Sequence, residues 1–293
     1  MIRRLSDCEW PERYHPLVAA LDEILDGGTG ETLVHVLKSY QNSDGGFGHG
    51  LEADIQMPGS NVASTDMAFN LLRFVSSPTK LPMIQSAIEY YCKVYDATSK
   101  SFEIVPPEVD RYPHAIWWNY DGIAAFTYGN PNPEIAGTLL AYREYVKDIE
   151  LDDFISSVLH YIEQDMATAL SMHSLMSSLW LYQRSTPDIK TRLHNVLQGY
   201  IDRELAVDPS EWEQYGLEPY KVFLIAPEFL GPHQSALASN ITSLIKRLNH
   251  GPMEPNWTWH QYEDVFQTVR PQWTILSTFD ALWAIKQFEH RKQ

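Results

Sequence analysis

Apolar side chains recur at three- and four-residue spacing along most of the chain, the pattern of helices that bury one face. Leu33, Val36, Leu37 and Tyr40 form one such stripe, with Gly30, Glu31 and Thr32 as a polar start and Gln41 as its end. A second helix is expected to open at Ser64, Thr65 and Asp66, to carry Met67, Leu71, Leu72 and Val75 on one face, and to stop at Ser76, Ser77 and Pro78. The same spacing predicts helices over 17–25, 83–95, 134–146, 154–163, 169–182, 189–205, 234–248 and 274–288, nine or ten in all. Phe102, Glu103, Ile104 and Val105 have strand character, but Pro106 and Pro107 end the run, so any sheet is minor. The expectation is an all-α protein.

A weak internal repeat supports stacked helical hairpins. Pro58, Ser64, Thr65, Ala68 and Leu72 align with Pro271, Ser277, Thr278, Ala281 and Ile285 at identical spacings. In both places a proline-marked loop is expected to lead into a Ser-Thr helix start and a helix with a small inward residue. No low-complexity linker or charge block interrupts the 293 residues, which favours one domain over 1–293.

Composition narrows the partners. Hydrophobic residues make up 44% and charged residues 20%, enough apolar surface for a packed core. Lys and Arg total 22 against 38 Asp and Glu, a net charge of −16 that repels nucleic acid and anionic membrane surfaces. Cys8 and Cys92 are too few for a disulfide framework and share no zinc spacing with histidine. The start of the chain lacks the apolar core of a signal peptide, and no run approaches the roughly 18 apolar residues of a spanning helix. A cytoplasmic location without integral membrane association is the plain expectation.

Four glycines fall within six residues of the stretch Tyr40, Gln41, Asn42, Ser43, Asp44, Gly45, Gly46, Phe47, Gly48, His49 and Gly50. They permit positive φ and close backbone approach, so this is a built turn at a helix end. Gln41 through Phe47 resembles the glutamine, double-glycine and aromatic repeat of the prenyltransferase and squalene (terpenoid) cyclase superfamily. The resemblance is strongest at 40–48, extends to the helix start at 64–72 and has a weaker echo at 271–285. It implies an α/α toroid, a barrel of helical hairpins, with the glutamine bonding backbone at helix ends and the aromatic stacked in front of it. The superfamily's chemistry does not transfer. There is no Asp-x-Asp-Asp acid run, since Asp152 and Asp153 lack the earlier aspartate, no Asp-Asp-x-x-Asp metal site, and no zinc set around either cysteine.

Candidate chemistry lies in three clusters. His49, Glu52 and Asp54 follow the glycine turn, with Asp66 at the next helix start. Carboxylates close together in a concave site are driven apart in pKa and serve as acid and base. The structural alternative has Glu52 and Asp54 bonding loop amides and Asp66 capping its helix. The second cluster holds His114, Trp117 and Trp118 beside Asn119 and Asp121, which suits a π-rich wall for a carbocation or a platform for a sugar ring. Adjacent helical residues point about 100° apart, so one of the two tryptophans is expected to face a cavity. The third holds Trp257, Trp259, Glu263 and Asp264, with Trp273 beyond. Trp180, Trp212 and Trp283 lie in helical stripes and read as core, and His173 and His194 as ordinary helix histidines.

Three function classes follow. The first is an enzyme on a hydrophobic, isoprenoid-type substrate, with Asp54 or Glu52 as acid or base, His49 assisting, and Trp117, Trp118, His114, Trp257, Trp259, Trp273 and Asp264 around the substrate. The second is a carbohydrate-active hydrolase or epimerase in which tryptophans stack on sugars and two carboxylates work as acid and base. The third is a non-catalytic binding or scaffold module. Arg111 and Arg270 are the basic residues nearest the aromatic clusters and candidate anion holders. No metal set is expected, and neither cofactor nor oligomeric state is indicated.

Overall fold

The computed structural model describes residues 2–122 and 127–291. These residues are mostly helical, with eleven α-helices among them. They are α1 (His15–Leu25), α2 (Glu31–Leu37), α3 (Val62–Leu72), α4 (Leu81–Val94), α5 (Asn132–Ala141), α6 (Leu151–His160), α7 (Met172–Arg184), α8 (Pro187–Glu204), α9 (Pro219–Ile225), α10 (Gln234–His250) and α11 (Glu263–His290). The sheet among the described residues is a two-residue pairing, Tyr95 with Phe102 and Asp96 with Ser101, cut short by the prolines that follow. No helix of the described residues is long and apolar enough to cross a membrane.

Local sequence sets the helix starts. Proline occupies the first turn of α1, α4, α5, α8 and α9, where its missing N–H removes no helical bond. Helix α3 begins earlier than the Ser64-Thr65 pair because Asn61 is its cap, its side-chain oxygen accepting the Ser64 N–H at 2.8 Å. Asp66 therefore sits inside the helix and caps nothing. Helix α9, short and following a Glu-Pro start, had no counterpart in the periodicity.

The helices sort into two sets. Helix α3 packs on α5, α5 on α7, α7 on α9 and α9 on α11, while α4 touches α3, α6 touches α5, α8 touches α7, and α10 touches α9 and α11. Just past α3, Phe74 meets Phe279 of α11 edge-on at 4.9 Å. The α5–α7 approach is the tightest, and it requires Gly137, where a Cβ would come within 2.9 Å of the Leu181 Cα. Helices α1 and α2 pair with each other and touch α11 and α3 respectively. One continuous apolar cluster runs through all of this from Leu5 to Ile285.

The glycine turn is built as its sequence requires. The Gln41 side-chain amide donates to the carbonyls of Gly45, at 2.9 Å, and Met83, at 3.1 Å. Gly45 has φ +97, and a Cβ there would lie 2.1 Å from the Ser86 carbonyl oxygen, so no other residue fits. Phe47 is fully buried, and its N–H donates to Thr65 Oγ1 at 3.0 Å.

The internal repeat needs correction. Pro271 lies inside α11, which starts at Glu263, so residues 263–272 are helix and no proline-marked loop leads to Ser277. What the two segments share is finer. Thr65 and Thr278 each donate to the carbonyl four residues back, and each accepts a loop N–H, from Phe47 at 3.0 Å and Met253 at 2.9 Å.

Candidate functional site

The cavity-facing sides of α3, α5, α7, α9 and α11 line a space of about 1180 Å³, with the loops carrying residues 52–54, 117–121 and 256–260 around it. Three strand-like segments tie these loops together. Gln56 donates to the Pro113 carbonyl at 2.9 Å, Ala115 to that of Asp54 at 3.0 Å, and Ile116 to that of Trp259 at 3.1 Å. Trp259, Phe266, Val269 and Ala115 form a small apolar cluster of their own beneath them.

Asp54 is held by two tryptophans. Its Oδ1 accepts two indole N–H bonds, from Trp259 and Trp273, both at 2.6 Å. Burial nevertheless pushes its pKa up to about 6, the two indole donors opposing the rise. Glu52 is displaced further upward, first by burial and then by the charge of Asp54, with only the Asp54 N–H at 3.3 Å in opposition. Both carboxyls are thus raised by burial, and only Asp54 has two side-chain donors favouring its charged form.

A second group lies between α3, α5 and α7. Asp66 and Glu134 are 7% and 5% exposed, and both are raised, chiefly by burial. Arg184 Nη1 is 3.5 Å from Glu134 Oε1 and donates to Thr138 Oγ1 at 2.7 Å. Arg73 lies 3.7 Å from Asp280. Both guanidiniums pack on the Trp180 ring, at 4.7 and 4.9 Å from its centre. Asp66 Oδ1, Glu134 Oε1 and Trp118 Nε1 are buried without a hydrogen-bond partner.

Aromatic rings complete the wall. Trp257 stands edge-on to Trp273 at 5.7 Å and to Tyr215 at 5.6 Å. The Tyr215 hydroxyl bonds His173 Nε2, and burial with the charges of Asp54 and Glu52 pushes the phenol up to about 12. His173 is lowered, by burial first and then by Lys221.

The candidates from sequence divide accordingly. Glu52, Asp54, Trp117, Trp118, Trp257 and Trp273 line the cavity. Trp259 does not touch it, being fully buried behind Asp54, which it anchors. Both adjacent tryptophans face the space because Ile116–Trp118 is a single 3-10 turn at the mouth rather than an α-helix on a wall. His49 is off the site: its positive φ of 56° turns it outward, exposed, onto Asn42 Oδ1 at 3.0 Å. His114 is also outside, locked between the Tyr112 carbonyl at 2.6 Å and Asn119 Oδ1 at 2.8 Å. Asp264 is exposed on the first turn of α11 and does not reach the cavity. Arg270 pairs with Glu254, and Arg111 is exposed.

Sequence reasoning missed Glu134, Arg73 and Lys221 and misassigned two residues. Trp180 and His173, read as core and as an ordinary helix histidine, both line the cavity. The signals were present. Glu134 is the one charge in a helix whose residues 132–139 are all buried, and such a charge must be paired or functional. His173, Met176, Ser177 and Trp180 fall at i, i+3, i+4 and i+7, one stripe of α7.

Among the described residues no three His, Cys, Asp or Glu side chains are grouped to hold a metal ion. Arg73 and Lys221 are the cavity-lining cations available to an anionic group. No protein-family model, curated protein or solved structure matches the chain.

Proposed function

We propose that this chain is an enzyme of α/α-toroid architecture that carries out acid–base chemistry on a saccharide in the central cavity. The toroid is supported by the neighbour order of the cavity helices, α3, α5, α7, α9 and α11, which returns to its start through Phe74 and Phe279. The observation that carries the function is the unequal pair: Glu52 and Asp54 on one cavity wall, both raised by burial, with two indole donors holding Asp54 alone. Two carboxyls whose environments separate their protonation supply a general acid and a general base or nucleophile. Glu52 would protonate the departing or exchanging oxygen. Asp54, fixed by two indoles through Oδ1, would use Oδ2 to take a proton or attack carbon.

The rest of the wall favours a polyhydroxylated ligand. Trp117, Trp257 and Trp273 offer ring faces and edges for sugar stacking. Asp66 Oδ1 needs a donor and costs about 1–3 kcal/mol if a hydrocarbon covers it unpaired, and Glu134 Oε1 has only the Arg184 guanidinium at 3.5 Å. A diphosphate is poorly served, since the lining carries Glu52, Asp54, Asp66, Asp121, Glu134 and Asp280 against Arg73 and Lys221. A second reading, protonation and cyclisation of an isoprenoid, draws on the same Glu52, raised by burial, as proton donor and on the aromatic wall, which would stabilise a carbocation.

Native mass spectrometry of protein purified from its host, with identification of any co-purifying ligand, separates the two. A bound saccharide displaced by added sugar supports the first. A bound isoprenoid, with saccharides producing no thermal stabilisation, overturns it in favour of the second.

A further inference from the structure

The floor of the cavity poses a charge problem that neutral hydroxyls do not solve. Asp66 on α3 and Glu134 on α5 both face the cavity, more than nine-tenths buried; Asp66 Oδ1 has no hydrogen-bond partner, and Glu134 Oε1 has none beyond its ion pair with Arg184 at 3.5 Å. The groups around them are few. Glu52 approaches from the loop after the glycine turn and Tyr91 from α4, the Asn70 amide donates to Asp66 Oδ2 at 3.4 Å and also acts on Glu134, and Arg73 and Arg184 supply the positive charge. Arg73 is drawn toward Asp280 at 3.7 Å and packed on Phe74 and Trp180. That leaves Arg184, itself bonded to Thr138, as the close cation for two carboxylates. With Lys221 included, three cations meet the six carboxyls of Glu52, Asp54, Asp66, Asp121, Glu134 and Asp280, an imbalance that without ligand is met by protons on the buried ones.

We infer that Asp66 and Glu134 form a subsite for a protonated amine, so that the preferred substrate class is an amino sugar or an oligosaccharide containing one. This rests on the saccharide reading and narrows it. An ammonium carries three donors and one positive charge. Two of the donors match Asp66 Oδ1 and Glu134 Oε1, and the positive charge takes the place of the proton the pair holds without ligand. A neutral hydroxyl brings one donor and no charge, and an N-acetyl group adds bulk and removes the charge. Without ligand, burial and mutual repulsion leave the pair holding a proton. An arriving ammonium expels that proton, so binding is accompanied by proton release.

The experiment is isothermal titration calorimetry of the intact protein at pH 7 with three matched probes: a glucosamine oligosaccharide, its N-acetylated form and the corresponding glucose oligosaccharide. Each is run in two buffers of different ionisation enthalpy, and a simple primary alkylamine is added as a fourth probe. The expected result is at least roughly tenfold tighter binding of the amine, the scale of a charge-assisted hydrogen bond gained, with proton release for the amine alone. Asp66→Asn and Glu134→Gln, checked for native folding by circular dichroism, should each remove the preference, so that the amine and glucose oligosaccharides then bind within about threefold of each other. Asp54→Asn should keep it. Equal affinity for amine and neutral sugars, or a preference that survives both variants, overturns the amine subsite and leaves the saccharide reading standing. Alkylamine binding sensitive to Asp66→Asn with no binding of any sugar keeps the subsite and overturns the saccharide reading. No binding of any probe overturns both.

Discussion

Replacing Trp259 by Phe tests whether the indole pair sets the protonation of Asp54. The Trp259 ring is fully buried and does not touch the cavity, so the substitution alters Asp54 without altering the surface a substrate meets. It deletes one of two N–H bonds to Oδ1, each 2.6 Å long. A hydrogen bond to an ionised group contributes about 1.5–3 kcal/mol, and 1.36 kcal/mol corresponds to one pKa unit. The Asp54 carboxyl, now about 6, should therefore rise by about one to two units and be largely protonated at neutral pH. The smaller ring should also cost stability, on the order of 1–3 kcal/mol from lost packing, which a thermal melt would register. The direct assay is carbon-detected NMR titration of carboxyl-labelled aspartate, with Asp54→Asn to assign the resonance. A carboxyl that still titrates near its original position, or below it, would refute the claim that the indole donors hold the charge on Asp54.

The same raised carboxyl sets a stability trend. Asp54 has a folded pKa of about 6 against 3.8 when unfolded, so its contribution is fully present below the lower value and lost as pH rises through the upper one. Urea unfolding should show stability falling by about 3 kcal/mol across that window from this group, and Asp54→Asn should flatten the step; a rise in stability over pH 5–7 would contradict it. Gly45→Ala should destabilise by roughly 2–4 kcal/mol, because the residue is left-handed and its new Cβ meets the Ser86 carbonyl; an unfolding midpoint unchanged from the parent would show that the turn can relax. Glu52→Gln should lower turnover by about a hundredfold or more without loss of fold, as removal of a general acid does, whereas His49→Ala should leave turnover unchanged.

The helices were legible because each buries one face, and period-3.6 spacing survives whatever the tertiary arrangement is. The glycine turn was equally plain, since positive φ and close approach leave few alternatives to glycine at 45 and 46. Glu52, Asp54 and four of the tryptophans were found because clustered carboxylates and rings are unusual in a loop. The rest of the site comes from separate helices. Asp66, Glu134, Trp180 and Lys221 are far apart in sequence, and only the packing of α3, α5, α7 and α9 around one space joins them. His49 misled for the opposite reason. It is adjacent to the acid pair in sequence, but one residue with φ 56 turns it to the other side of the loop. Trp259 shows a third case: expected around a substrate, it is fully buried and donates to Asp54 instead of lining the cavity.

Turnover of a mixed saccharide library, read by mass spectrometry and proton NMR for new reducing ends or inverted centres, tests the central claim most directly, with Asp54→Asn protein and a prenyl substrate panel run alongside. The account predicts a sugar product formed by the parent protein, reduced at least about a hundredfold by Asp54→Asn. Conversion of a prenyl substrate with every saccharide unchanged, or sugar turnover indifferent to Asp54, would contradict it.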